Sequence, residues 1–166
     1  MKLGEGVEQA IHSVAMLSGL SEGGVLSAAA IAEFHGVSTS YLLKHLQALS
    51  GVGILDTVPG PKGGYRLARK PADITLLDIV LAVEGPAPAF RCGEIRQRGP
   101  NPLPSRYFAK PCGINAVMLK AEQVYRAELA KTTIADLGRA LAEVDDGGIA
   151  ARGCAFLEIH ERKTAR

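Results

Sequence analysis

No stretch of this sequence comes near the roughly 18 consecutive apolar residues that a membrane span requires, and its N-terminus lacks a basic region followed by a continuous apolar core. The expectation is a cytoplasmic protein that meets no membrane. Excess charge is lacking too: 19 Lys and Arg against 17 Asp and Glu leave a formal charge of +2, too little by itself to imply a nucleic-acid partner. There are only three cysteines, an odd number that argues against a secreted disulfide framework and leaves metal binding, redox chemistry or inert burial. The chain shows no Ser-His-Asp arrangement, no glycine-rich phosphate loop and no paired acids in a cleft-forming pattern, and Cys92, next to Arg91, has no identifiable general base. An enzyme is therefore not expected. No internal repeat is visible.

What is present is enough for a core: 47% of the 166 residues are hydrophobic. Val7, Ile11, Val14 and Leu17 recur at the spacing of an amphipathic helix over about residues 4–20. A second helix is expected from the cap Ser27 to Gly36, whose lack of a Cβ suits a left-handed turn. A third follows Ser38, with Leu42, Leu46 and Leu49 facing inward. Helix, tight turn, helix is the helix-turn-helix pattern. Two short extended pieces, 54–58 and 64–68, then flank "PGPKG" and read as a β-hairpin, a wing. "ITLLDIVLAVEG" is a short helix capped by Thr75, with Asp78 in its first turn. Residues 86–111 hold six prolines and no sustained period, and so form a long loop. Helical period resumes through about residue 144, in a long apolar-rich segment of the kind that pairs with its own copy. The fold expected is mainly α with a small β-hairpin wing. Its parts are a winged helix-turn-helix over 1–85, a loop over 86–112, a dimerisation helix region over 113–144 and a poorly ordered tail over 145–166.

A winged helix reads duplex DNA with its second helix in the major groove and its wing on a neighbouring phosphate or the minor groove. Ser38, Thr39, Ser40 and Tyr41 stand at the start of that helix, with Lys44 and His45 one turn on, and Lys62 and Arg66 in the wing. Between residues 38 and 70 there are five Lys or Arg against the single acid Asp56, so the region is locally basic and suits phosphate contact. A protein-docking winged helix is the alternative use of the same elements. His35 and His45 suit packing or DNA contact better than metal.

"VSTSYLLKHLQALSGVGILDTVPGPKGGYRLAR" resembles the helix-turn-helix and wing of the bacterial regulators grouped with IscR and NsrR, whose wing carries a Gly-Gly-Tyr-x-Leu motif, here residues 63–67. "ITLLDIVLAVEG" is similar to that family as well, and the likeness covers about residues 1–140. It implies a homodimeric transcription factor acting on double-stranded operator DNA, with cofactor state governing affinity.

Many members of that family hold an iron-sulfur cluster through three closely spaced cysteines. This chain departs from the pattern: only Cys92 and Cys112 lie in the loop, with 19 residues between them, and Cys154 is far downstream. Glu8 and His12, four positions apart in "EGVEQAIH", would share one helix face. "GVEQAIH", "FRCGEIRQRGP", "KPCGI" and "TTIADL" resemble the RsrR-like subgroup, in which Glu, His and two Cys bind a [2Fe-2S] cluster across the dimer. The resemblance implies Glu8 and His12 from one protomer and the partner's Cys92 and Cys112 as ligands. Two readings stay open beside it: a tetrahedral zinc site on the same four residues, and a reversible disulfide between the two cysteines. Cys154 is expected to be a bystander, and His160 has no visible partner.

Overall fold

The computed structural model describes residues 3–163. In chain order the elements are α1 (Glu5–Leu17), β1 (Gly24–Val25), α2 (Ala28–His35), α3 (Thr39–Gly51), β2 (Leu55–Val58), β3 (Gly64–Leu67), α4 (Leu76–Glu84), α5 (Gly113–Leu129), α6 (Ile134–Val144), α7 (Gly148–His160) and β4 (Arg162–Lys163). The molecule is mainly helical with a small antiparallel hairpin, the winged-helix outline expected from the sequence. No helix among the described residues is long and apolar enough to cross a membrane.

The core follows from helical spacing. Val7, Ala10, Val14 and Leu17 of α1 are buried, as are Leu42, Leu46 and Leu49 of α3 and Ile79 and Val80 of α4. Each fully buried aliphatic side chain of this size contributes about 1.5–3 kcal/mol. Capping sets the helix ends. The Ser27 hydroxyl accepts the Ala30 N–H at 3.1 Å, and α2 stops at Gly36, where φ is +67° and the Val37 N–H donates to the Ala32 carbonyl at 3.0 Å.

In the hairpin, Leu55 faces Leu67, Asp56 faces Arg66, Thr57 faces Tyr65 and Val58 faces Gly64. Two backbone hydrogen bonds between Leu26 and Tyr65, of 3.0 and 2.7 Å, join it to the segment just before α2. Gly64 makes that seam possible, since a Cβ there would overlap the Leu26 backbone carbonyl. Backbone against backbone cannot yield by a rotamer change. Gly64→Ala should therefore lower the unfolding free energy by about 2–4 kcal/mol, read as a fall in the denaturation midpoint.

Two stretches depart from expectation. The long helical segment is divided, because Thr133 opens a new helix: its hydroxyl accepts the Asp136 N–H while the Asp136 carboxylate accepts the Thr133 N–H at 2.8 Å. Thr75 and Asp78 form the same reciprocal cap at the start of α4. The two caps lie side by side, with Leu76 N–H on the Thr132 carbonyl and Ile134 N–H on the Ile74 carbonyl, both at 2.9 Å. The second departure is the expected poorly ordered tail. Residues 148–163 instead form α7 and β4, and β4 pairs antiparallel with β1. The order comes from contacts with segments more than a hundred residues away, which local composition does not reveal.

Candidate functional site

The exposed face of the helix-turn-helix is built by what α3 does not bury. Its leucine face points into the core, so Ser38, Thr39, Ser40, Tyr41 and Lys44 are left at the surface. The Ser38 hydroxyl bonds to that of Ser40 at 2.9 Å and caps no backbone group, which leaves N–H groups of the first turn for an outside acceptor. His45 is corrected here. It is only 6% exposed, its ring lies against Gly6 where a Cβ would overlap it, and it meets Tyr41 edge-on at 4.8 Å. Burial, then Lys44, holds its pKa below the ordinary imidazole value, against the opposing pull of Glu84. Its role is to seat α3 on α1, not to face outward.

In the wing, Lys62 is exposed in the turn. Arg66 shares its charge with Asp56 across the hairpin at 3.5 Å, an exposed pair of small energetic consequence. Arg69 is turned inward, donating to the Gly53 carbonyl at 3.1 Å and the Asp73 carbonyl at 3.4 Å. It braces the hairpin base.

The loop over 86–112 is pinned at several points. Glu122 of α5, only 9% exposed, accepts the Ala89 N–H at 3.0 Å and the Arg126 guanidinium at 2.6 Å, and Arg126 donates onward to the carbonyls of Pro86 and Ala87. The sequence reading missed this pair, although its i, i+4 spacing is visible. Further along, Glu94 adopts a left-handed backbone (φ +46°), and its carboxylate takes two hydrogen bonds from Arg96 at 2.5 and 2.7 Å. The same guanidinium lies 5.2 Å from the centre of the Phe108 ring and reaches the Lys110 carbonyl at 3.4 Å. Arg96 thus ties the Cys92 side of the loop to the Cys112 side.

Cys92 and Cys112 stand on the two sides of the loop so joined, near enough for Cys92 to act on the Cys112 thiol. Both are free thiols. Cys112 sits at the N-cap of α5, and the Asn115 N–H foremost, helped by the Ile114 N–H, Arg96 and Cys92, holds its thiol below the usual range.

Glu8 and His12 are exposed on one face of α1 and line a shared surface groove with Glu5, Gln9, His35 and Val37. The His12 and His35 rings are 5.6 Å apart. Burial, then His12 and Arg152, lowers the His35 pKa. His35 reaches this groove from α2, a proximity that only the packing of α1 on α2 could disclose. The structure therefore pairs Glu8 with His12, and Cys92 with Cys112. It does not bring the pairs together: among the described residues no group of three or more His, Cys, Asp or Glu is arranged to hold a metal ion. Cys154 lies elsewhere, exposed on α7 beside Gly19 and Leu157, and His160 stacks on Phe156 at 4.0 Å.

Directly after Cys112, α5 presents Ile114, Val117, Met118 and Val124 to the surface, the two valines 68% and 65% exposed. Such a stripe at helical spacing is a face without a partner among the described residues.

The family model described as Rrf2, iron-dependent transcriptional regulator, matches residues 3–140 of this chain. YffB of Lactococcus lactis, which carries the name of an HTH-type transcriptional regulator, is 31% identical over 137 residues, covering 82% of this chain and 86% of its own. YwgB of Bacillus subtilis, similarly named, is 42% identical over 85 residues, 51% of this chain and 54% of that one; here the match spans about half the relative's length. Among solved structures, T. potens IscR shares the fold with a TM-score of 0.64 at 24% identity, over 91% of this chain and 96% of that one.

Proposed function

Since this chain belongs to the Rrf2 family, whose members are transcriptional regulators and not enzymes, we propose that it is a homodimeric DNA-binding regulator whose operator affinity is governed by a [2Fe-2S] cluster. The cluster ligands are Glu8 and His12 of one protomer with the partner's Cys92 and Cys112.

One observation carries the ligand assignment. Each chain has two donor pairs, each incomplete, one of thiols and one of carboxylate with imidazole. A two-iron core takes two protein ligands per iron, and nitrogen can replace sulfur on one of them. Two copies related by a two-fold axis would complete each site with the other's pair, and the apolar stripe of α5 begins immediately after Cys112. When bound, such a cluster supplies a one-electron change in charge at the junction of the two chains. The residues of this chain determine how that change is felt. α1 carries Glu8 and His12 on one face and receives His45 of α3 on the other, at Gly6. A small displacement of α1 therefore bears on the recognition helix. A coupling of about 1–3 kcal/mol would alter operator affinity roughly 5- to 150-fold.

The DNA surface in this reading is Ser38, Thr39, Ser40, Tyr41 and Lys44 of the recognition helix with Lys62 and Arg66 of the wing; the burial of His45 removes it from the set. The nearness of the two thiols also favours a second reading, a disulfide switch between Cys92 and Cys112 without a cluster, and zinc could take the same four donors.

Anaerobic purification followed by a visible spectrum with iron, sulfide and zinc analysis separates the three: a cluster absorbs visible light and carries iron and sulfide, a zinc site is colourless and carries zinc, and bare thiols hold no metal. Gel shifts on duplex DNA with oxidised, reduced and cluster-free protein should then differ at least about fivefold. Equal retardation by all three would end the switch.

A further inference from the structure

Residues 148–163 lie beyond the 3–140 matched by the family model, yet they are firmly docked. Phe156 of α7 meets Phe34 edge-on at 5.0 Å, and Arg152 lies 4.6 Å from the centre of the same Phe34 ring while donating to the Phe34 carbonyl at 3.3 Å. Phe34 is the penultimate residue of α2, the first helix of the helix-turn-helix. Beyond α7, the Glu161 carboxylate accepts the Ser21 N–H at 3.3 Å and its hydroxyl, and lies where a Cβ on Gly24 would overlap it. The chain then pairs with β1, Val25 facing Arg162 and Gly24 facing Lys163. From that strand Arg162 reaches across and donates to the Pro61 carbonyl in the wing turn at 3.0 Å.

We propose that Arg162 is a positioning residue for DNA binding. The C-terminal arm, seated on α2, holds the wing turn through Arg162, so that the wing and recognition helix present one rigid surface to the duplex. The proposal rests on the DNA-binding reading above. Its physical ground is the weakness of the wing alone. Two four-residue strands are marginal without further support, and the turn between them contains Gly60 and Gly63, closed by one bond from the Gly63 N–H to the Gly60 carbonyl at 2.9 Å. Pro61 immediately precedes Lys62, the exposed cation of the turn. A guanidinium fixed to the Pro61 carbonyl restricts where the Lys62 ammonium can go.

Amide exchange at Gly63 and the affinity for a labelled duplex, recovered by pull-down from sheared genomic DNA, test this together. Arg162→Ala should speed Gly63 exchange and weaken duplex binding about tenfold, and Arg162→Lys, which keeps a donor, should recover part of both. If Arg162 acts through the wing, its loss costs little more once Lys62 is already alanine, a non-additive cycle. Additive losses in that background would overturn the proposal, as would Gly63 exchange unchanged by Arg162→Ala. The side chain is exposed, so the variant folds. Wild-type protein that binds no duplex would sink the DNA-binding reading instead, and the exchange data would still decide whether the arm holds the wing.

Discussion

Cys112→Ala should abolish the visible absorption of anaerobically purified protein, together with its iron and sulfide, while the far-ultraviolet circular dichroism stays that of a folded winged helix. Cys112 lies outside the buried core at the N-cap position of α5, where its side chain makes no capping hydrogen bond, so its loss should cost little stability. Cys154→Ala, made on the exposed surface of α7, should leave absorption and metal content intact. The sharper form of the experiment uses complementation. Neither His12→Ala nor Cys112→Ala homodimers should hold a cluster. After the two are unfolded together and refolded, half the dimers are mixed, and each mixed dimer has one site with all four ligands and one lacking two. About a quarter of wild-type cluster content should return, as two-fold symmetry dictates. No recovery would mean that each chain supplies its own ligands, and the shared site would be wrong.

Val117→Asp with Val124→Asp should convert the protein to a monomer in sedimentation and erase operator binding at concentrations where wild type binds fully. Both valines are about two-thirds exposed on the α5 stripe, so a monomer tolerates the change. A dimer must bury four carboxylates, each costing several kcal/mol without a partner. The dimer dissociation constant should therefore rise at least ~10³-fold. Losing the second recognition helix then removes one of two half-site contacts. A dimer that survives both substitutions would place the interface elsewhere, and the cluster geometry with it.

The helix-turn-helix and wing were legible because punctuation residues mark their ends. Ser27 caps, Gly36 turns left-handed and Gly60 and Gly63 frame the hairpin turn, and each acts through its own backbone neighbourhood. The separation of α5 from α6 was equally local, since Thr133 and Asp136 form the same cap as Thr75 and Asp78, but the apolar period runs through it and masked it. Three features were not legible, because each depends on a distant partner. His45 is buried only because Gly6 leaves room for its ring. β4 is a strand only because β1, more than a hundred residues earlier, offers an edge. The loop is ordered only because Glu122 and Arg126 gather its first residues. As for the candidate ligands, sequence spacing put Glu8 and His12 on one helical face, whereas the approach of Cys92 to Cys112 depends on the grip of Arg96 on both sides of the loop.

The twin caps at Thr75 and Thr133 mean that everything between them leaves from and returns to a single point on the molecule. The proline-rich loop and α5 are thus an appendix sewn shut at its root, and doubling the length of such an excursion would add only about 0.6 kcal/mol in closure entropy. Insertions near residue 100 could stretch the distance between the two thiols while leaving the DNA-reading half untouched. In the proposed dimer, whatever this appendix senses reaches the rest of the chain through α4, which packs on α1 and α3, through the stitched root or through the partner copy.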